Sequence, residues 1–380
     1  MLRVLCVIES GTWVEPHIVG SLRAMGHAVE VFFYGSGIGE FYGVGRRRER
    51  FEKNRALLDA ATMLRDGSGL DLIFCYVYDD FLLEKTARSL QLLDVPMVNY
   101  NVDMVNQWYR QTLTARYFTR MLCAQLVNME QLARYNPRVL HFPMAAKSRR
   151  FSTQNEDAEV PDALVTFVGT PMTYRVRMLS RLHRQGVPLA IYGKYWQEGL
   201  QATATASVEK TFYDLWHYTA PKVRAEGAAG LVAALRRRIL PVQHTLEEKL
   251  PETLYKGFIP ELALASFFRR SAINLGFTRI AGDDPDAPGV TQLKLRDFEV
   301  PQAGGFYLVE RTAEYAGYFR LGTEVETWGT PSDLIEKIRY YLGHDSERRA
   351  IALAGQVRAN AEHTWDTRFA ALFSELGLRA

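Results

Sequence analysis

The 380-residue chain contains only three cysteines, at positions 6, 75 and 123, and no CxxC or Cys/His grouping with the spacing of a metal site. A disulfide scaffold and a structural zinc fold are therefore excluded. Cys6 and Cys75 sit in the strand-like runs "VLCVIE" and "LIFCYVY" and Cys123 in "RMLCAQLV", so all three read as buried thiols in a reduced compartment. No apolar run reaches the roughly 18 residues of a spanning helix. The chain opens directly on a strand pattern, with no basic segment leading into an apolar stretch and cleavage site, and a cytoplasmic protein is expected. Charge of one sign is also missing: the net charge is +3, too small to make nucleic acid the expected partner. Nor is there a GxGxxG fingerprint after the first strand, and no nicotinamide site is expected there. No internal repeat of solenoid period occurs.

What is present is alternation. "LRVLCVIE", "AVEVFFYG", "LDLIFCYV", "VPMVNYN", "LCAQLVN" and "RVLHFP" read as six buried strands, separated by segments of helical period that end at glycine. Such alternation predicts a parallel sheet covered on both faces. The apolar pattern stops across "KSRRFSTQNEDAEVPDA", the best domain boundary, centred on Ser152–Asp162. It restarts with "LVTFVGT", "VPLAIYG", "TLYKGFI", "AINLGF" and "GFYLVE", which predict a second α/β unit. The stretch between "IYGKYW" and "LYKGFI" is longer than a compact αβ connection needs and reads largely as an inserted helical hairpin. Its basic cluster Arg236–Arg238 reads either as a solvated helix face or as a peripheral membrane contact through residues 230–240. The earlier "RRRER" at Arg46–Arg50 reads as a loop or a solvated helix start.

The densest polar segment is "GVTQLKLRDFEVPQAGGFYLVE", Gly289–Glu310. Thr291 is placed to cap a helix starting near Gln292, whose free N–H groups and positive dipole end favour an anion, with Lys294 adding a full charge. Gln292, Arg296, Glu299 and Ala303 share one stripe at helical spacing, and Lys294 points elsewhere. A phosphate at the helix start and a sugar hydroxyl accepted by Glu299 satisfy this layout. An ordinary Arg296–Glu299 surface ion pair satisfies the stripe equally. Pro301 is expected to kink or end the helix before Gly304 and Gly305.

The segment from "INLGFTR" through "KLRDFEVPQAGG" to "HTWDTRF" resembles the C-terminal domain of the spore-maturation-type (CgeB-like) glycosyltransferases. These are related to the large retaining families with the GT-B fold. The resemblance covers the C-terminal third well and "TFVGT" and "IYGKYW" more loosely. It implies a GT-B α/β fold: two Rossmann-like domains facing across a cleft, with the last helix returning to the N-domain. The expected domains are an acceptor domain at 1–155, a donor domain at 156–360 with a helical insertion near 200–250, and the returning helix at 361–380. Phe369, Leu372, Phe373 and Leu376 give that helix a burying face.

The resemblance implies a donor site for a nucleoside diphosphate sugar, with Glu299 in the position of the Glu that holds the ribose. Where the best-known retaining members carry a second Glu, eight residues upstream, this chain has Thr291. Gly169 and Thr170 end one strand and Gly193 and Lys194 another, where α/β sheets bind ligands. Arg175 and Arg177 follow in reach of phosphates or as solvated helix arginines. Gly257 and Phe258 resemble the place where the base lies against backbone and an apolar side chain. Asn274 reads as a cleft-facing amide or a strand-end cap. Gln292, Leu293, Lys294 and Arg296 complete the donor set.

For the acceptor, Gly11, Thr12 and Trp13 follow the first strand and Asn101 ends the fourth. Asp103 is the first candidate for an acidic group acting as base or hydroxyl anchor, with a helix cap as its structural alternative, and His17 is the second candidate base. The expected reaction transfers a sugar to an unidentified hydroxyl acceptor, independently of metal and with no cofactor beyond the donor, because cations and helix ends can stabilise the departing diphosphate. A nucleotide-sugar epimerase or phosphorylase of the same fold, distinguished by turnover without acceptor, and a non-catalytic nucleotide-sugar-binding scaffold remain alternatives.

Overall fold

The computed structural model describes residues 1–35, 46–102, 104–148, 165–196, 215–232 and 250–379. It contains two compact units, Met1–Pro143 with Ala204–Gln243 and Trp365–Ala380, and Met144–Thr203 with His244–Thr364. The expected boundary at Ser152–Asp162 and the arginines at 236–238 lie outside the described residues.

The first unit is built on six parallel strands in the order β2-β1-β3-β4-β5-β6. They are β1 (Arg3–Glu9), β2 (Ala28–Gly35), β3 (Leu72–Cys75), β4 (Met97–Asn101), β5 (Arg120–Cys123) and β6 (Val139–His141). Each overlaps one of the six apolar runs, β5 only through Leu122 and Cys123, because "LCAQLVN" turns as a 3-10 helix from Leu126. A strand covered on both faces has no solvent side, so β3 is apolar at every position and every residue of it is buried. All three cysteines are buried free thiols, and burial pushes the Cys6 thiol up to about 12.

The helix Trp365–Glu375 belongs to this unit. Its apolar stripe sets Trp365 against Tyr100, Phe369 against Phe74 and Phe142, and Phe373 against His27, with ring centroids 5.1–5.9 Å apart. Leu376 falls just past the helix end and is only half-buried. The arginine run at 46–50 opens the helix Arg46–Asp66, where Arg50 turns inward to donate to the Phe81 carbonyl at 2.8 Å.

The inserted segment differs from expectation. Although it interrupts the sequence of the second domain, its described part clusters with the first unit. The Arg110 guanidinium lies 4.1 Å from the Tyr78 ring and 4.5 Å from the Tyr218 ring, and pairs with Asp80 at 2.8 Å. Lys222 sits 5.0 Å from the Tyr109 ring. The cause is an aromatic and cationic surface on Trp108–Arg110, which offers cation–π partners to the insertion.

The second unit carries five parallel strands in the order β13-β12-β9-β7-β8 and a two-stranded antiparallel ribbon, β10-β11. They are β7 (Val165–Val168), β8 (Leu189–Tyr192), β9 (Ile273–Gly276), β10 (Arg279–Ala281), β11 (Val290–Thr291), β12 (Tyr307–Glu310) and β13 (Glu326–Trp328). "TLYKGFI" does not form the expected strand: Tyr255 makes one isolated bridge to Ile191, because Glu252–Leu254 turn as a 3-10 helix. β13, too short to show a pattern, joins the edge instead. Thr330 accepts from the Asp333 N–H at 3.2 Å to cap the helix Pro331–Gly343, whose Leu334 and Ile338 pack into the core with Trp328 and Leu308.

Candidate functional site

The carboxyl ends of β7 and β8 are joined by glycine. Gly169 donates its N–H to the Tyr192 carbonyl at 2.9 Å and accepts from Trp196 Nε1 at 2.6 Å. Gly193 has φ +141°, and a Cβ there would stand 2.2 Å from the Gly169 oxygen. The two strand ends therefore touch backbone to backbone, which only glycine allows. Gly193 also donates to the Gly257 carbonyl at 2.9 Å, which draws the 255–258 segment alongside β8.

These contacts leave a pocket of about 340 Å³ lined by Gly193, Lys194, Tyr195, Trp196, Tyr255 and Phe258, with Gly257 at its wall. Trp196 and Tyr255 lie 5.6 Å apart at 32°, and Lys194 Nζ is 5.4 Å from the Phe258 ring, which is 61% exposed. Bare backbone, aromatic faces and one cation make a site for a flat, polar, anionic ligand. Of the lining aromatics, the sequence reading singled out Phe258 and missed Tyr195, Trp196 and Tyr255. The available signal was aromatic residues flanking each glycine in "YGKYW" and "LYKGF".

Arg175, in the first turn of the helix Thr173–Arg184, lies beneath this corner. Its Nη1 donates to the Thr170 carbonyl at 2.9 Å, while its buried Nε has no partner among the described residues. Burial pulls the guanidinium down to about 10, opposed by Tyr307, Glu310 and Asp297, so it remains a cation at neutral pH. Arg177 is occupied structurally, donating to the Asp283 carbonyl at 2.9 Å.

The polar segment folds differently from its pattern. Thr291 is not a helix cap: it lies in β11, opposite Arg279, with its hydroxyl on Thr312 at 3.1 Å. Gln292 and Leu293 are buried in extended chain, and the helix starts at Arg296 and runs to Ala303. The delay has a local cause. The Asp297 carboxylate accepts the Lys294 N–H at 2.6 Å, which fixes a turn ahead of the helix. The Lys294 ammonium meanwhile donates to the Phe277 and Arg279 carbonyls at 2.6 and 3.1 Å. Pro301 does not end the helix. The Asp297 carbonyl that its missing N–H would have used accepts from the Tyr315 hydroxyl at 3.3 Å, and Gly304 closes the helix in the left-handed region.

Arg296 and Glu299 pair side by side, with the Arg296 guanidinium 5.5 Å from the Phe268 ring. Burial works against that cation but Glu299 and Glu261 outweigh it, and the pKa of Arg296 is raised. Asp297 is fully buried. Burial raises it to about 6, opposed by the Lys294 N–H and charge and by the Tyr307 and Tyr315 hydroxyls. The Asn274 amide is used within the fold: it donates to the Phe268 and Phe306 carbonyls at 2.8 and 3.2 Å and ties β9 to its neighbours.

In the first unit, Asp103 and the Asn101 side chain lie outside the described residues. Gly11 has φ +68° with open space at its Cβ position, and the Thr12 hydroxyl donates to the Glu9 carbonyl at 3.2 Å. Trp13 stacks on Trp365 at 6.2 Å and meets Tyr76 edge-on at 6.0 Å. His17 is 1% exposed, and its Nδ1 accepts from Trp365 Nε1 at 3.4 Å.

Two parallel-sheet α/β units, the second with a glycine-joined pocket at its strand ends, define the GT-B fold class. The chain belongs to the glycosyl transferase-like family, whose model matches residues 175–374, just over half its length. Among solved structures it is similar to Thermosynechococcus elongatus sucrose-phosphate synthase, at 10% identity and TM-score 0.56, covering 99% of each chain. It is similar to Anabaena HepE in complex with UDP, at 10% identity and TM-score 0.55, over 99% of this chain and 100% of that one. A glycosyltransferase from Rickettsia africae matches at 8% identity and TM-score 0.53, over 98% and 97%. No curated protein matches the chain. Among the described residues no helix is long and apolar enough to cross a membrane.

Proposed function

We propose that this protein transfers a hexosyl group from a nucleoside diphosphate sugar to a hydroxyl acceptor, as a glycosyltransferase of the spore-maturation type. The observation that carries this reading is the pocket at the end of β8, which lies within the span matched by the family model. Its aromatic faces and bare glycine backbone suit a planar base, and the complexes of HepE with UDP and with UDP-glucose make uracil the first base to test. Glu299 then accepts a ribose hydroxyl beside Arg296. Gly169, Thr170 and Arg175 serve the diphosphate, with Lys194 and Arg296 supplying positive charge in a metal-independent route. The bond from the sugar anomeric carbon to the diphosphate oxygen breaks as a bond to the acceptor oxygen forms, and the acceptor gives its proton to a base.

Asp103 is proposed as that base or as a hydroxyl anchor. Asp103→Asn then keeps donor affinity while lowering transfer by about 100-fold. Unchanged turnover at saturating donor and acceptor would remove it from the reaction. The whole reading is tested by thermal unfolding with a panel of nucleoside diphosphates, because a ligand that binds only the folded state raises the midpoint. At least one is expected to do so, and a panel without any shift would sink the proposal.

A further inference from the structure

Among the described residues of the first unit, several buried amides are fully hydrogen-bonded and Gln125 is not. Asn99 makes three hydrogen bonds, to Val77 twice and to Gln111. Asn136 also makes three, to Ala115, Phe118 and Arg138, and Asn54 makes three, to Arg50, Phe81 and Leu83. Gln125 is 1% exposed, yet neither its amide nitrogen nor its amide oxygen has a partner among the described residues. It precedes the 3-10 turn Leu126–Asn128 without capping it. Two more amide oxygens, of Asn128 and Gln131, are likewise enclosed and unpartnered.

Asn128 and Gln131 are three apart across the 3-10 turn and the helix Met129–Ala133, and Gln125 leads into that turn in extended backbone. Met129 and Leu132 pack with Trp108 and Tyr109. All three amides follow the carboxyl end of β5, the side of a parallel α/β sheet where ligands bind. An enclosed amide without hydrogen bonds destabilises the fold, and a sequence that completes three other amides in the same unit has retained this cost at one place.

We propose that Gln125, with Asn128 and Gln131, forms a subsite for a neutral polyhydroxylated ligand, a sugar or polyol. An amide is uncharged and offers a donor and an acceptor side by side, which matches a hydroxyl pair. The amide atoms are sealed in this structure, so the ligand reaches them when the Gln125 side chain turns outward. Assigning that ligand as the acceptor rests on the transfer reaction proposed above; the subsite itself does not.

The test uses the full chain with methyl glucoside as sugar probe and UDP as a separate probe, in wild type, Gln125→Met and Asn128→Ala. Saturation-transfer NMR is expected to show sugar binding to wild type, weakened at least tenfold in Gln125→Met and severalfold in Asn128→Ala. UDP affinity stays within twofold, and the Gln125→Met unfolding midpoint is equal or higher because the unpaired amide is gone. Sugar binding unchanged in both variants, or absent from wild type, overturns the subsite. So does a lowered midpoint in Gln125→Met with unchanged sugar binding, the mark of an amide satisfied by enclosed water. If Gln125→Met does not fold, Asn128→Ala alone decides by the same criterion. Loss of UDP binding in wild type would instead count against the donor reading, leaving the sugar result to stand.

Discussion

The two sheets share a parallel, doubly covered build, but their carboxyl ends are finished by different means. After β1 in the first unit, Gly11 turns in open space and the following chain is held by rings, Trp13 against Trp365, Tyr76 and His17. After β7 and β8 in the second, glycine brings backbone against backbone, with Gly193 closed onto the Gly169 carbonyl. In the second unit the joined strand ends stand beside the pocket lined by Gly193, Trp196, Tyr255 and Phe258. One topology therefore carries two kinds of strand end, ring-packed after β1 and glycine-joined after β7 and β8.

The largest expected effect separates the two glycines. Gly193→Ala forces a Cβ into the Gly169 carbonyl at a φ that L-residues rarely adopt, and is expected to cost about 3 kcal/mol or more of unfolding free energy. Gly11→Ala, also at positive φ but facing nothing within 4 Å, should cost only about 1 kcal/mol. Denaturant unfolding of both variants checks the contrast, and equal losses would break it.

A second contrast concerns two carboxylates that burial raises to the same range, Asp79 in the first unit and Asp297 in the second. Burial raises Asp79 and Asp297 each to about 6, against the bonds that stabilise their charge. In both, the folded state holds a proton that the unfolded chain releases near 3.8. The contribution to stability is therefore full below that value and is lost as pH rises through about 6. Asn serves at 297, where its oxygen takes the Lys294 N–H and its nitrogen donates to the Tyr307 hydroxyl. Asp297→Asn should flatten that part of the pH profile at little cost. At 79 both carboxylate oxygens already accept, from Leu113 N and from the N–H and hydroxyl of Thr114, so Asn sets donor against donor. Asp79→Asn should cost about 1–3 kcal/mol. Unfolding midpoints from pH 4 to 7 resolve the two.

The strands were legible where burial on both faces writes a continuous apolar run, as in "LIFC" and "INLGF". β13 was not, because three residues carry no period, and Tyr255 misled because an apolar run beside a strand need not pair along its length. Glycine-ended strands pointed to the corner of the second unit where the pocket lies, but helical spacing misplaced the start of the Arg296 helix. Spacing does not reveal that Asp297 folds back onto the Lys294 N–H. The insertion was visible as excess length, but its attachment to the first unit depends on Arg110 and Tyr218, over a hundred positions apart. Gln125 was invisible, since an amide without partners differs from a satisfied one only in three dimensions.

The central claim, a nucleotide site on the second unit that holds ribose through Glu299, is tested most directly by calorimetric titration of wild type and Glu299→Gln with UDP and with a ribose-deoxygenated UDP. Removal of a charged acceptor should weaken UDP binding by about 1.5–3 kcal/mol and leave the deoxygenated analogue nearly unaffected. Equal losses for both ligands, or wild type that binds neither, would contradict the account.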